Sequence, residues 1–193
     1  MEPERVAADL AEVVASEQDI ARRVRELAGE IERDYGGRDL LVVGVLNGAA
    51  VVTVDLTRAL DRHVEISWMA ITSYGSGVGA SGAVRLRKDL DVEVAGRDVL
   101  IVDGVLDTGL TAAWLMGNLR ARGAASVEFC GMFRKPSART LNVDVRYVGF
   151  DVPDGVVVGY GLDYGGRYRN LPCCAILAPK VYSINGRASS SAR

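Results

Sequence analysis

The segment from Asp103 to Thr111 carries the residue types best suited to chemistry. It holds two acids, two threonines and two glycines, and it follows the apolar run 99–102, which predicts a buried strand. A helix opening after this loop would make its first N–H groups, with the hydroxyls of Thr108 and Thr111, a phosphate cradle. Carboxylates repel phosphate, so Asp103 and Asp107 suit ribose hydroxyls or a developing positive charge. The structural alternative is that Asp-Thr-Gly serves only as an N-cap and turn.

Two other nucleotide motifs are matched only superficially. Segment 77–82 has the G-x-G-x-x-G spacing, but residues 83–88 alternate apolar and basic side chains. That alternation predicts an extended arm rather than the helix a dinucleotide site requires, so a flexible Gly/Ser loop is favoured. Segment 104–111 has the spacing of a P-loop, but Leu110 stands where the phosphate-binding lysine is needed. A nucleotide triphosphatase is therefore not indicated.

The elements that must position this loop alternate between strand and helix. A helix should begin at Ser16, since an acid follows three residues later and apolar residues then recur every three or four positions. Strands are predicted at 40–46, 64–71, 99–102, 127–133 and 156–160, and helices at 49–60 and 111–122. This order predicts an α/β fold with a mostly parallel sheet flanked by helices.

Composition limits the class of protein. The chain has 193 residues, 49% of them hydrophobic, and a net charge of −2, which suits one domain and does not indicate a nucleic-acid partner. We expect a single domain over residues 1–185 and a disordered tail over 186–193. Three cysteines without a C-x-x-C pair, and one histidine, argue against a disulfide framework or zinc site and favour a cytoplasmic protein. No apolar run approaches the roughly 20 residues of a membrane span.

Five segments, in order, resemble the type I phosphoribosyltransferases, and in particular the hypoxanthine-guanine phosphoribosyltransferases, from about residue 16 to residue 182. The segments are 43–49, 73–75, 103–111, 134–136 and 157–172. The resemblance implies the type I fold, with a small hood and a mobile loop over a mostly parallel sheet. It also implies an activity: transfer of the 5-phosphoribosyl group from 5-phosphoribosyl 1-pyrophosphate (PRPP) to a purine base, with a 6-oxopurine such as hypoxanthine or guanine preferred.

The resemblance assigns roles to individual residues. Asp107 would be the catalytic general base, and Asp163 would contact a magnesium ion. The peptide entering Asn47 is expected to be cis, and a homodimer or homotetramer is expected. The residues implied to bind PRPP or its phosphates are Asp103, Thr108, Gly109, Leu110, Thr111, Leu46, Asn47, Gly48 and Arg169. The mobile loop would include Ser73 and Tyr74, and the base would be bound by Lys135, Val156, Val157 and Asp163.

Three positions depart from the family's pattern. Asn47 replaces a lysine, Gly104 replaces a second acid that would contact a ribose hydroxyl, and Val156 replaces an aromatic residue over the purine. Two alternatives to ordinary transfer therefore stay open. One is an enzyme for an unusual base or modified sugar phosphate, in which case an acid at 104 and an aromatic residue at 156 should raise ordinary activity. The other is a non-catalytic regulator that binds PRPP or a nucleotide.

Overall fold

The computed structural model describes residues 1–73, 84–136 and 143–188. In chain order the elements are a 3₁₀ helix (Pro3–Asp9), β1 (Leu10–Ala15), α1 (Glu17–Tyr35), β2 (Leu40–Leu46), α2 (Ala50–Ala59), β3 (Glu65–Ser73), β4 (Val84–Lys88), β5 (Asp98–Leu106), α3 (Leu110–Ala121), β6 (Ser126–Arg134), β7 (Tyr147–Asp151), β8 (Val157–Val158), β9 (Cys174–Leu177) and α4 (Pro179–Ala188). None of the helices in these ranges is both long and apolar enough to cross a membrane.

The larger sheet has the strand order β4-β3-β2-β5-β6-β7. Every neighbouring pair in it is parallel except β3 and β4, which run antiparallel at one edge. From β2 the chain moves outward to β3, while β5 lies on the other side of β2. Such a change of direction leaves a crevice at the carboxyl ends of the two strands, where ligands of open α/β sheets bind. The predicted mostly parallel sheet is confirmed.

Burial explains why these segments form the layers. Residues 40–45 of β2 are all buried, as expected for a strand covered on both faces. Helix α1 buries Ile20, Val24 and Leu27 from one face. It starts where predicted, because the Ser16 hydroxyl accepts from Asp19 N at 3.1 Å and the Asp19 carboxylate accepts in return from Ser16 N.

A second, small sheet has the order β1-β9-β8 and a core cluster of its own. We call this sheet with its connecting segment 159–173 the hood. Strand β8 is shorter than the predicted strand 156–160, because Gly159, Tyr160 and Gly161 all have positive φ and end the extended run.

The end of the chain differs from the sequence-based expectation. Helix α4 runs to Ala188, so residues 186–188 of the predicted disordered tail are helical, whereas 189–193 lie outside the described residues. Pro179 suits the first position of a helix, and Val181 and Tyr182 pack against the cluster of the hood. This anchoring supports a helix that the composition of the tail alone does not predict.

Candidate active site

Three loops meet at the crevice between β2 and β5. The first follows β2 and contains a cis peptide between Leu46 and Asn47, as the resemblance implied. A Cβ placed on Gly161 of the hood would lie 2.5 Å from the carbonyl oxygen of Gly48, and a Cβ on Gly104 would lie 2.9 Å from that same oxygen. The backbones of the loop after β2, the end of β5 and the hood segment therefore approach closely, and glycine is what permits the approach.

This packing gives Gly104 a structural explanation. Besides the Gly48 carbonyl, Cδ2 of Leu162 would lie 2.9 Å from a Cβ at position 104. A backbone oxygen can move away only if its loop moves, so a side chain at this position would displace the loop after β2. The missing second acid therefore need not signal a changed substrate, since the local packing already favours glycine.

Two helices begin beside this crevice without a side-chain cap. Helix α2 follows Ala49 and helix α3 follows Gly109, whose φ is 79°, and neither has an acid in its first turn. The contact of Leu110 N with the Thr108 hydroxyl is weak, at 3.4 Å. Uncapped N-termini present free N–H groups and the positive end of the helix dipole, which together favour anions. Thr111, half-buried, lies in the first turn of α3.

Asp103 lies within β5 at the start of the predicted cradle. Its Oδ1 accepts a hydrogen bond from Gly104 N at 2.7 Å. Burial raises the pKa of this carboxyl to about 7, and it outweighs the opposing effect of hydrogen bonds from the Gly104 and Val105 amides. Near neutral pH the group can therefore either donate or accept a hydrogen bond to a ligand hydroxyl.

Asp107 and Lys135 form an ion pair, with Nζ 3.2 Å from Oδ2. The Asp107 side chain is 53% exposed, whereas that of Lys135 is 15% exposed. Lys135 is held at its backbone as well, since its N–H donates to Leu106 O at 3.0 Å. The site thus presents a carboxylate that can accept a proton beside an ammonium group that can donate a hydrogen bond.

Asp163 and Arg169 form a second pair, within the hood. Nη2 of Arg169 lies 2.6 Å from Oδ1 of Asp163, and its Nη1 donates to the Gly161 carbonyl at 2.7 Å. The other carboxylate oxygen of Asp163 accepts from Gly166 N at 2.8 Å. The guanidinium therefore holds the same hood segment that contacts Gly48. These contacts use two of its five N–H donors, so Arg169 could also donate to a pyrophosphate.

A magnesium ion fits Asp163 in a restricted way. Among the described residues no three His, Cys, Asp or Glu side chains are grouped as a metal site. Magnesium commonly uses one or two protein carboxylates and completes its shell with substrate phosphates and water. Each carboxylate oxygen of Asp163 keeps a lone pair beyond its present partner, so this residue could serve as the single protein ligand.

The remaining predicted site residues lie in the two cores, at the end of β3 or outside the described residues. Val157 is buried in the main core, while Val156 is half-buried and packs against the cluster of the hood. Ser73 is the last residue of β3, and Tyr74 lies outside the described residues. The three cysteines are buried core residues as expected, and burial raises the pKa of the Cys130 and Cys174 thiols to about 12.

Sequence reasoning gave no role to three neighbours in the hood, Tyr160, Gly161 and Leu162. Gly161 and Leu162 contact the loop after β2, Leu162 also lies against Gly104 of β5, and the Tyr160 hydroxyl donates to Asp55 of α2 at 2.8 Å. The Gly-Tyr-Gly sequence at 159–161 is a local signal for an unusual backbone, since glycine tolerates positive φ. What those residues contact could not be inferred from it.

Comparison with known proteins agrees with this geometry. The family model described as a phosphoribosyl transferase domain matches residues 11–165. The chain is 46% identical over 180 residues to the hypoxanthine-guanine phosphoribosyltransferase of Mycobacterium avium, covering 90% of this chain and 89% of that protein. It is 42% identical over 174 residues to the enzyme of that name from Bacillus subtilis, covering 90% and 97% of the two chains.

A solved structure is also similar. The hypoxanthine phosphoribosyltransferase of Staphylococcus aureus superposes with a TM-score of 0.87 at 39% identity, covering 92% of this chain and 97% of that one. Similarity at this level extends over the large sheet and the hood together, and the family match spans the loops after β2 and β5. This chain therefore belongs to the phosphoribosyltransferase family.

Proposed function

We propose that this protein transfers the 5-phosphoribosyl group of PRPP to a 6-oxopurine, hypoxanthine or guanine, giving a nucleoside 5′-monophosphate and pyrophosphate. The observation that carries the choice of base is the Asp107–Lys135 pair. N7 and the 6-oxo oxygen lie side by side on one edge of such a purine. A carboxylate and an ammonium group 3.2 Å apart match that edge, one receiving the ring N–H and the other donating to the carbonyl. Adenine would instead turn an amino donor toward the ammonium group.

We expect the two anionic ends of PRPP to bind at the N-termini of the two uncapped helices. The N-terminus of α3, with Thr108 and Thr111, suits the 5-phosphate, and the loop from Leu46 to Gly48 ahead of α2 suits the pyrophosphate. Because β2 and β5 are neighbours in the sheet, the two helix starts lie side by side. Asp103, within β5 just before the loop to α3, suits the ribose hydroxyls.

The reaction breaks one bond, forms another and transfers one proton. The bond from ribose C1 to the pyrophosphate oxygen breaks with its electron pair on oxygen, and N9 of the purine forms the new bond to C1. The ring proton on N7 passes to the Asp107 carboxylate as charge develops. The contact between the Gly48 and Gly161 backbones brings the hood against the pyrophosphate loop, which helps to exclude water from the positively charged sugar.

We also propose that magnesium is required. When bound, it would neutralise the leaving pyrophosphate. Asp163 would hold it through a carboxylate oxygen or a bound water, while Arg169, released from Asp163, would remain beside the anion. Chelation with EDTA should stop turnover, and added magnesium should restore it. Turnover that persists in EDTA would contradict the requirement.

The alternative of an unusual sugar loses its main support, because packing explains Gly104. The regulator hypothesis is also weaker, since a binding protein would not need an exposed proton acceptor paired with Lys135. Both alternatives would become better supported if no purine gave turnover.

For assembly we propose a homodimer or homotetramer formed through the outer face of α2 and the adjoining strand β3. Val54 and Ile66 are exposed there despite being apolar. The related hypoxanthine phosphoribosyltransferase of Trypanosoma cruzi has a C-terminal region with a role in its oligomeric state. Light scattering after size exclusion should give a multimer, and Val54→Glu should shift it toward monomer. A monomeric native protein would refute the proposal.

The test of the activity is pyrophosphate release by purified protein with PRPP and magnesium, with hypoxanthine, guanine, xanthine and adenine supplied separately. Turnover on the order of 1–1000 per second is expected with hypoxanthine or guanine. Adenine should be slower by roughly a hundredfold or more, since its amino group leaves the ammonium without an acceptor. Adenine as the best substrate, or silence with all four bases, would overturn the proposal.

A further inference from the structure

Tyr160 is held in a backbone conformation that a tyrosine rarely adopts. Its φ is 47°, and its neighbours Gly159 and Gly161 have φ values of 93° and 95°. Three consecutive residues in the left-handed region make a sharp turn, and only the middle one carries a side chain. A non-glycine residue in this region persists where surrounding contacts determine it, and such positions cluster at functional sites.

The contacts that hold Tyr160 come from three different parts of the fold. Its ring is buried and lies edge-on to Phe133 of β6, with centroids 6.4 Å apart. Its hydroxyl donates to Asp55 Oδ2 of α2 at 2.8 Å. Its N–H donates to Leu171 O at 2.9 Å within the hood. One side chain therefore joins the hood to α2 and to the strand that leads into Lys135.

The position of this turn determines how the hood meets the loop from Leu46 to Gly48. Gly161, the next residue after Tyr160, is in backbone contact with Gly48 and would place a Cβ 3.4 Å from Cγ2 of Val51 in the first turn of α2. Asp55 lies one turn further along that helix. The loop is thus fixed at its tip by Gly161 and behind it by the Tyr160–Asp55 hydrogen bond.

We infer that Tyr160, through Asp55, is a positioning residue for the pyrophosphate-binding loop and does not itself touch the substrates. The inference rests on the proposed function, in which that loop binds the leaving group. Removing the hydroxyl should let the hood and α2 shift relative to each other. The loop would then bind pyrophosphate less well, while Asp107 and Lys135, directly after β5 and β6, would keep their geometry toward the base.

Tyr160→Phe tests this, with Tyr147→Phe as the matched control. Tyr147 is also buried and donates to a helix carboxylate, Asp34 Oδ2 at 2.8 Å, but it lies at the start of β7, at the opposite end of the sheet from the loops. Both variants lose one hydrogen bond of the same kind. Both should therefore lower the thermal midpoint to a similar extent.

The two variants should differ in kinetics. Tyr160→Phe should raise KM for PRPP roughly three- to tenfold, as the loss of one hydrogen bond allows, and leave KM for the purine unchanged. Tyr147→Phe should leave both values unchanged. In the background of Asp55→Ala, Tyr160→Phe should add little. A Tyr160→Phe enzyme with unchanged KM for PRPP, or an equal rise in Tyr147→Phe, would overturn the inference.

Calorimetric titration with inorganic pyrophosphate and magnesium separates this inference from the proposed function. Weaker binding in Tyr160→Phe than in Tyr147→Phe would support the positioning role even if no purine gave turnover. Equal binding in the two variants would reject it, whatever the activity of the native enzyme.

Discussion

The ammonium nitrogen of Lys135 lies 3.2 Å from a carboxylate oxygen of Asp107 although 28 residues separate them in the chain. Strand register explains the distance. Leu106 and Arg134 are directly paired in the neighbouring parallel strands β5 and β6, and Asp107 and Lys135 are the next residues of each chain segment. The side chains that we propose as the general base and the base-binding group are thus aligned by the sheet itself.

Replacing Lys135 by alanine should reduce kcat/KM for hypoxanthine and guanine by about 10- to 100-fold, the range expected for losing a hydrogen bond to a charged group. KM for PRPP should not change, because we propose that other loops bind that ligand. Steady-state kinetics with each substrate varied in turn would measure both. Lys180→Ala, on the exposed start of α4, is the control. A change confined to PRPP would refute the assigned role.

Asp107→Asn keeps the shape of the side chain and an acceptor for Lys135 but removes the proton acceptor. We expect kcat to fall by roughly 10²- to 10⁴-fold, with PRPP binding retained in calorimetry. Asp61→Asn, at an exposed position after α2, should leave kcat unchanged. If Asp107→Asn turned over normally, another group would have to take the purine proton.

Gly104→Ala should destabilise the protein by about 1–3 kcal/mol, since its methyl group would press on the Gly48 carbonyl and Leu162. Gly117→Ala is the matched control, with the opposite expected effect on stability. Gly117 is exposed within α3, and no atom of the described residues would contact a methyl group there, so alanine should stabilise the helix by about 0.5–1 kcal/mol. Urea unfolding measures both free energies of unfolding.

Gly104→Asp should lower transfer to ordinary purines, because its side chain would displace the loop after β2. An increase in that activity would support the modified-sugar hypothesis instead.

The stability of the protein should depend on the ionisation of Asp103. Its pKa is about 7 in the folded chain, against about 4 when unfolded. Between these values the folded state binds the extra proton, so this group makes the free energy of unfolding fall as pH rises from about 4 to 7. Asp103→Asn cannot ionise, so its stability relative to the native protein should increase from pH 5 to pH 8 in urea unfolding. A difference that is constant with pH would show that Asp103 is ionised throughout.

Local sequence patterns predicted those elements whose conformation depends on their own residues. Strand β2 was recognisable because a strand buried on both faces is continuously apolar, and α1 because Ser16 and Asp19 cap it reciprocally. Strand β1 was missed, since it is largely exposed and owes its conformation to pairing with β9 far along the chain. Strand β7 was missed because it lacks a long apolar run.

In the candidate site, too, local sequence features could be predicted and contacts between distant segments could not. The residues of the loop after β5 could be chosen from their types and spacing, and the resemblance supplied partners such as Lys135 and Asp163. The packing at Gly104 could not be inferred, because it involves Gly48 and Leu162, from two distant segments. The role of Tyr160 was likewise invisible, since its contacts with Asp55 and Phe133 exist only once the hood is folded.

The pairing of β1 with β9 also sets an order for folding during synthesis. Leu10 pairs with Leu177 and Ala15 with Cys174, so β1 must wait for its partner until residue 177 has left the ribosome. The strands of the large sheet from β2 to β7 are complete by Asp151, well before then. We therefore expect that the proposed phosphate-binding loops form early in the nascent chain and that Asp163 and Arg169 are fixed in place last. A chain stalled before β9 should accordingly bind phosphate at the start of α3 but fail to turn over PRPP.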